Sequence, residues 1–363
     1  MLNYKTCTVT FYDERNYGAF LQAYALQQFL GKSNYILNLA APLNSLVTEK
    51  TQRKLPFFWR FIALWRYFWR YYLRRKGYFD EFNMLNLTSL YNSVKDVVKN
   101  PPQADAYITG SDQVWNQAIL IFHKDIHFLK FGSSNAKRIA YAASMGGKEW
   151  PATFTKQILP YLKKIDAISV REISSVSFLK SIGLEKVTVT CDPTILHTAD
   201  FYRFHFSKVE DKYSGCIFVY RLGEGFPISI RQFLDEKNIV EATISRNKMF
   251  SITQWLHNID TSNAVITDSF HGTIFSILFH KPFISLLSKH RNERKIDLLG
   301  RVKLEYRLLT GNETKEEIEE ILYRPVDWKH VDEILEEWRT YSANWLREAL
   351  NNNDLKKEVH SDE

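Results

Sequence analysis

"TDSFHGTIFSILFHKPFISLL", residues 267–287, reads as a strand end, a polar turn, a helix and a second strand, and that order decides the fold class. The runs Ala264–Thr267 and Pro282–Leu286 are short and apolar, as buried strands are. In the turn, Asp268 or Ser269 is suited to cap a helix starting near Thr273, because a side-chain oxygen there accepts from an otherwise orphaned amide. Gly272 lets backbone approach a ligand closely, and the positive end of the helix attracts an anion beside His271. A lone histidine is more often a cap or a half-buried side chain than a functional group, so the rest of the chain has to decide for His271. Phe270 reads as core.

The same alternation runs outward in both directions. Strand candidates are Thr6–Tyr12, Ala106–Gly110, Arg138–Ser144, Ala167–Val170, Val187–Thr190 and Cys216–Tyr220, with longer segments of helical period between them. This predicts an α/β fold with largely parallel sheets. Between the first two strands, "NYGAFLQAYALQQFLGK" reads as a buried crossover helix ended by Gly31. The polar, aperiodic stretch after Cys191 makes the best linker, so the reading divides the chain into α/β domains over 1–199 and 200–330. Val331, Leu335, Trp338, Tyr341, Trp345 and Ala349 recur at helical spacing, predicting a helix over 331–350 that packs back on the first domain, before a disordered tail over 351–363.

Length and composition are those of a soluble globular protein of two domains: 363 residues, 45% hydrophobic and 25% charged. The three cysteines stand far apart, which suggests neither a zinc site nor a disulfide framework and fits a reducing cytoplasm. No signal peptide and no membrane-spanning run is apparent. The net charge of +7 favours anionic partners without choosing among them.

One segment stands apart. In "LPFFWRFIALWRYFWRYYLRRK", residues 55–76, an aromatic arc (Phe58, Phe61, Trp65, Phe68, Trp69, Tyr72) opposes an arginine arc (Arg60, Arg66, Arg70, Arg74) at helical spacing. Such a helix suits the surface of an anionic membrane, while packing on its own domain with a solvated basic edge is an equal alternative. Nucleic acid is the least favoured partner, because no accompanying sheet motif is present.

Ligands in open parallel sheets sit beyond the carboxyl ends of strands. Three such places are polar: Ser111–Asn116, Arg171–Ser174 and Asp268–Gly272. Arg171 can hold a carboxylate or phosphate with two parallel hydrogen bonds, or pair merely with Glu172. Asp112 and Gln113 can meet sugar hydroxyls, or Asp112 can simply cap. The phosphate loop, G-x-G-x-x-G and H-E-x-x-H are absent, and no metal or cofactor is expected.

Taken together, "NYGAFLQAYAL", "TGSDQVWN", "SVRE", "CDPT" and "TDSFHGTIFSILFHKPFI" resemble, in order and spacing, the polysaccharide pyruvyl transferase family. The resemblance implies a GT-B-like architecture, two facing Rossmann-like domains with the site in the cleft. It also implies transfer of pyruvate from phosphoenolpyruvate, as co-substrate, to a hydroxyl pair of a nucleotide- or lipid-linked saccharide as a ketal. Such a reaction belongs to bacterial exopolysaccharide, capsule or other cell-surface glycan synthesis, in the cytoplasm or peripherally on the inner face of the plasma membrane.

By the resemblance, Arg171 is donor-binding and catalytic, and His271 both contacts the donor and moves a proton. Ser269, Gly272, Lys289 and Arg294 fall on the donor side, and Asn16, Tyr17, Ser111, Asp112, Gln113, Trp115 and Asn116 on the acceptor side. Relatives resemble Arg-x-His where this chain reads Ser269-Phe270-His271, so another cation is needed, and Arg294 is favoured over Lys289 and Arg291. Two alternatives stay open: a GT-B-type glycosyltransferase using a nucleotide sugar, and a non-catalytic, membrane-associated glycan-assembly protein.

Overall fold

Among the described residues, the strands form two sheets, each parallel throughout. The structure, a computed structural model, describes residues 4–12, 16–39, 80–117, 120, 124–147, 149–207, 209, 214–223, 227–235, 237–243, 250–288 and 292–351. The aromatic and basic segment 55–76, the tail past 351, and Lys289 and Arg291 lie outside them.

In chain order the first half runs β1 (Thr6–Val9), α1 (Tyr17–Leu30), β2 (Asn34–Ile36), α2 (Val94–Lys99), β3 (Ala106–Gly110), α3 (Lys124–His127), β4 (Lys137–Ala143), α4 (Ala152–Leu162), β5 (Ala167–Val170), α5 (Ile173–Ser181) and β6 (Val187–Val189). A 3-10 turn, Pro193–Leu196, and α6 (Ala199–His205) lead to the second half. There follow β7 (Ile217–Arg221), α7 (Ile228–Leu234), β8 (Ile239–Thr243), α8 (Ile252–Thr261), β9 (Ala264–Thr267), α9 (Phe270–Leu278), β10 (Phe283–Leu286), α10 (Glu293–Arg301), β11 (Leu308–Leu309), α11 (Lys315–Tyr323) and α12 (Trp328–Asn351). The strand orders are β2-β1-β3-β4-β5-β6 and β11-β10-β9-β7-β8. Two Rossmann-like α/β halves facing one another constitute a GT-B-like architecture.

Central strands such as β1 and β9 are buried at every position, as expected where helices cover both faces of a parallel sheet. Helix α1 is buried almost all round because it lies between the halves, packing on α9 and on the Pro193–Leu196 turn. Gly31 ends it at φ 87°, a left-handed conformation that glycine takes without strain.

Helix α12 returns to the first sheet. Its buried face includes Val331, Leu335, Trp338, Leu346 and Leu350. Burial of a leucine such as Leu346 or Leu350 contributes about 1.5–3 kcal/mol. The Ser342 hydroxyl accepts the Cys191 amide at 2.9 Å, and Arg339 donates to the Ile195 carbonyl at 2.8 Å. Lys137 of β4 donates to the Leu350 carbonyl.

Three strands, β2, β8 and β11, escaped the sequence reading, and all three are sheet edges. They are two to five residues long and pair with one named strand each, so little in their local composition marks them. Among the described residues no helix is long and apolar enough to cross a membrane.

Candidate functional site

Arg171 leaves the carboxyl end of β5 and is 3% exposed. Its Nη1 donates to Asp192 Oδ2 at 2.7 Å and to the Ser111 hydroxyl at 3.4 Å. Nε lies 3.7 Å from Glu172 Oε1, and Nη2 lies 4.0 Å from Asp112 Oδ1. Neither Nε nor Nη2 has a hydrogen-bond acceptor among the described residues. Glu172, itself fully buried, is thus an ion-pair partner at 3.7 Å, but the carboxylate that Arg171 hydrogen-bonds is Asp192, twenty-one residues away.

That carboxylate, Asp192, caps the Pro193–Leu196 turn. Its Oδ1 accepts the Thr194 amide at 3.0 Å and the Thr194 hydroxyl at 2.7 Å, and its Oδ2 also accepts the Ser111 hydroxyl at 3.0 Å. His271 Nε2 stands 3.4 Å from the same Oδ2. Burial alone would raise this carboxyl, but His271, Arg171 and the Thr194 amide together hold it well below the usual carboxylate range. Burial likewise disfavours the Arg171 cation, and Asp192, Glu172 and Asp112 overcome it.

His271 belongs to the first turn of α9, which starts at Phe270, three residues earlier than the expected Thr273. Ser269 is the cap, its hydroxyl accepting the Gly272 amide at 3.3 Å. Asp268 instead accepts the Leu222 and Gly223 amides at 2.7 and 3.1 Å. Helix α1 backs onto the imidazole: a Cβ at Gly18 would lie 1.9 Å from His271 Nδ1. The glycine of "NYG" is thus required by a histidine more than 250 positions later.

Around this pair stand three further groups of the second half. The guanidiniums of Arg171 and Arg294 both lie over the Phe270 ring, at 4.7 and 5.0 Å from its centroid. Lys295, 2% exposed, donates to the carbonyls of Asp268 (3.2 Å) and Leu286, at the ends of β9 and β10. Burial, reinforced by Arg294 and opposed by Asp268, brings the Lys295 ammonium down to about 8.

The expected acceptor side is largely turned inward. Trp115 is fully buried, stacked on Phe128, with its indole N–H donating to the His127 carbonyl, so it is core and cannot meet a sugar. Tyr17 is fully buried, stacked on Trp255, and its hydroxyl bridges the Phe250 amide and carbonyl at 2.8 and 2.9 Å, which ties the halves together. Gln113 and Asn116 bond to each other against Gly146. Ser111 is spent on Asp192. Asn16 caps α1, accepting the Gly18 amide at 3.0 Å. Asp112, in the left-handed region at φ 63°, keeps a partly exposed carboxylate.

On the donor side, Gly272 faces protein rather than ligand: a Cβ there would lie 2.4 Å from Thr267 Oγ1, so the glycine allows helix to meet strand. The Ser269 side chain is committed to its cap. The sequence reading overlooked Asp192 and Lys295. For Asp192 a signal existed, an Asp-Pro-Thr turn directly after a strand. Among the described residues, no group of three or more His, Cys, Asp or Glu side chains is arranged to hold a metal ion.

Residues 16–290 match the family model described as polysaccharide pyruvyl transferase. No curated protein matches the chain in sequence. Among solved structures, UDP-N-acetylglucosamine 2-epimerase from Rickettsia bellii is similar at 12% identity over 94% of this chain and 97% of that one, with a TM-score of 0.47. The UDP-GlcNAc 2-epimerase of Methanocaldococcus jannaschii in complex with UDP-GlcNAc and UDP is similar at 12% identity over 93% and 99%, with a TM-score of 0.49. Arabidopsis thaliana UGT89C1 is similar at 9% identity over 96% and 99%, with a TM-score of 0.47. The family model spans three quarters of the sequence, and with it the strand ends that carry Arg171, Asp192 and His271: the chain belongs to the polysaccharide pyruvyl transferase family.

Proposed function

We propose that this protein transfers pyruvate from phosphoenolpyruvate to two hydroxyls of a saccharide, as a ketal, during synthesis of a bacterial surface glycan. The observation that carries the reading is the buried Arg171–Asp192–His271 cluster at the meeting of the two halves, with two guanidinium nitrogens of Arg171 lacking acceptors among the described residues. A donor bearing both a carboxylate and a phosphate needs such convergent cations. Arg171 binds one anionic group of the donor, and Arg294 and Lys295 supply positive charge from the second half, in the role that Ser269 cannot fill.

The protons balance as follows. His271, as imidazolium, gives a proton to the donor's methylene carbon, and the neighbouring carbon becomes electrophilic. One sugar hydroxyl bonds to that carbon and returns its proton to His271. The second hydroxyl then bonds to the same carbon as the carbon–oxygen bond to phosphate breaks, and its proton leaves with the phosphate. Asp192, 3.4 Å from Nε2, orients the imidazole that gives up a proton in the first step and regains one in the second. The acceptor is a nucleotide- or lipid-linked saccharide approaching past Asp112, and the protein works in the cytoplasm or at the inner membrane face.

An acceptor screen with labelled phosphoenolpyruvate tests this, read as a pyruvate-sized mass gain and released phosphate. Arg171→Lys and His271→Gln are each expected to cut turnover by roughly 10²–10⁴-fold while remaining folded. Undiminished turnover in both folded variants would sink the assignment. Thermal stabilisation by nucleotide sugars with none by phosphoenolpyruvate would favour a glycosyltransferase instead.

A further inference from the structure

Beside the site, β6, α5, α10 and α12 line a cavity open to solvent, of about 570 Å³, the size of a small-ligand site. Its wall carries an unusual set of polar groups: Arg301, Glu337, Trp338, Tyr341, Ser177 and Thr188. The Arg301 guanidinium lies 4.3 Å from the Trp338 ring centroid. Arg301 and Glu337 are both exposed along the cavity and form no ion pair within 4 Å among the described residues, although the Arg301 charge acts on Asp297, one helical turn earlier. Trp338 is more than nine-tenths buried, and its indole N–H has no acceptor there. A buried donor without a partner calls for a water or a ligand. The Tyr341 hydroxyl bonds the Thr188 hydroxyl at 2.8 Å, leaving a half-exposed ring at the cavity's edge.

The cavity's inner wall has a second side. Ile173, Val189, Arg301 and Trp338 also line a void of about 10 Å³ that reaches Arg171, Phe270 and Arg294, room for a single water. One layer of side chains thus separates the cavity from the cluster at Arg171.

We infer that this cavity is a recognition subsite for an anionic saccharide, whose phosphate or carboxylate meets Arg301 while its hydroxyls meet Glu337 and the Trp338 N–H. The pairing follows from the chemistry of the wall: an exposed cation stacked on Trp338 for the anion, an exposed carboxylate to accept from hydroxyls, an indole donor, and a tyrosine ring at the edge. The inference deepens the reading of the chain as an enzyme acting on saccharides and rests on it. It makes the subsite a place for part of the acceptor, adjacent to the donor.

Calorimetric titration of the full chain with N-acetylglucosamine 1-phosphate, glucuronic acid, N-acetylglucosamine and inorganic phosphate separates the sources of the charge. One or both anionic sugars are expected to bind more tightly than the neutral sugar and than phosphate alone. Arg301→Gln should weaken the anionic sugar about tenfold or more and leave the neutral sugar unchanged. Trp338→Phe, which keeps a ring and removes only the N–H donor, should weaken both severalfold. Thermal unfolding confirms that each variant folds. Equal affinity in the parent and both variants, or inorganic phosphate binding as tightly as the anionic sugars, overturns the inference. So does loss of sugar binding in Arg171→Lys with none in Arg301→Gln, which would place the sugar in the cleft. Sugar binding that depends on Arg301, in a protein that phosphoenolpyruvate does not stabilise, would instead leave the subsite standing and bring down the pyruvyl reading.

Discussion

The two halves bring different sets of charges to their meeting place. The strand ends of the first sheet carry Asp112, Glu172 and Asp192 around one cation, Arg171. The second carries His271, Arg294 and Lys295, while two of its carboxylates are committed to backbone: Asp268 to the Leu222 and Gly223 amides, and Asp297 of α10 to the Ile173 amide across the halves. Arg171 is therefore a fixed, neutralised donor of hydrogen bonds rather than a net positive site. The surplus charge that a doubly anionic donor needs comes from the other half, so the geometry between halves governs binding.

Removing the first half's central anion should break the comparison most severely. Asp192→Asn leaves Arg171 and His271 buried without their shared carboxylate, and stability is expected to fall by about 3–5 kcal/mol in denaturant titration. The same carboxylate sets the acid limb. A carboxyl whose folded value is depressed stabilises above its unfolded value, about 4, and loses that contribution as pH falls toward the folded value. The parent should thus lose stability below about pH 4 by more than Asp192→Asn does; parallel acid limbs would contradict the role given to Asp192.

Next in size is the contact across the halves. Gly18→Ala places a methyl group where the His271 imidazole lies. Displacement of a catalytic group by about 1 Å costs roughly 10²-fold in rate, so turnover should fall by that order while the variant stays folded. Full activity would show that His271 is not held where the structure has it.

Lys295 sharpens the comparison from the second half. Its folded value near 8 lies below the ordinary lysine value of 10.5, so the unfolded chain binds more protons between those limits. The penalty for burying the ammonium is present below pH 8 and is relieved as pH rises toward 10.5. Relative to Lys295→Met, the parent should gain on the order of 1–3 kcal/mol between pH 7 and pH 10. A constant difference would refute it.

The smallest effect is local. Ser269→Ala removes the α9 cap and should cost about 1 kcal/mol, measured by thermal unfolding. No change at all would mean that the cap does not hold the turn bearing His271.

Arg171 and His271 were legible because each directly follows a strand of strong apolar character, and strand ends are where parallel sheets place their ligands. Asp192 was hidden by its surroundings: a polar, aperiodic stretch reads as linker, and only the fold shows that the stretch crosses beneath both halves. Lys295 was hidden by its neighbour. A basic run offers several cations, and the one turned inward depends on the phase of α10, which Leu298 and Leu299 set by burying the same face. Trp115 and Tyr17 looked like sugar contacts because aromatic residues in polar motifs often are, yet each fills a core.

The sequence by itself determined the alternation of strand and helix, the buried crossover helix and the polar turns, because periodicity and caps are written into residues a few positions apart. Only the tertiary structure decided which charges neutralise one another, why position 18 has no side chain, and which charged groups line a cavity. Those properties depend on distances between residues as far apart as 18 and 271, and Coulombic and steric energies are functions of such distances rather than of order along the chain.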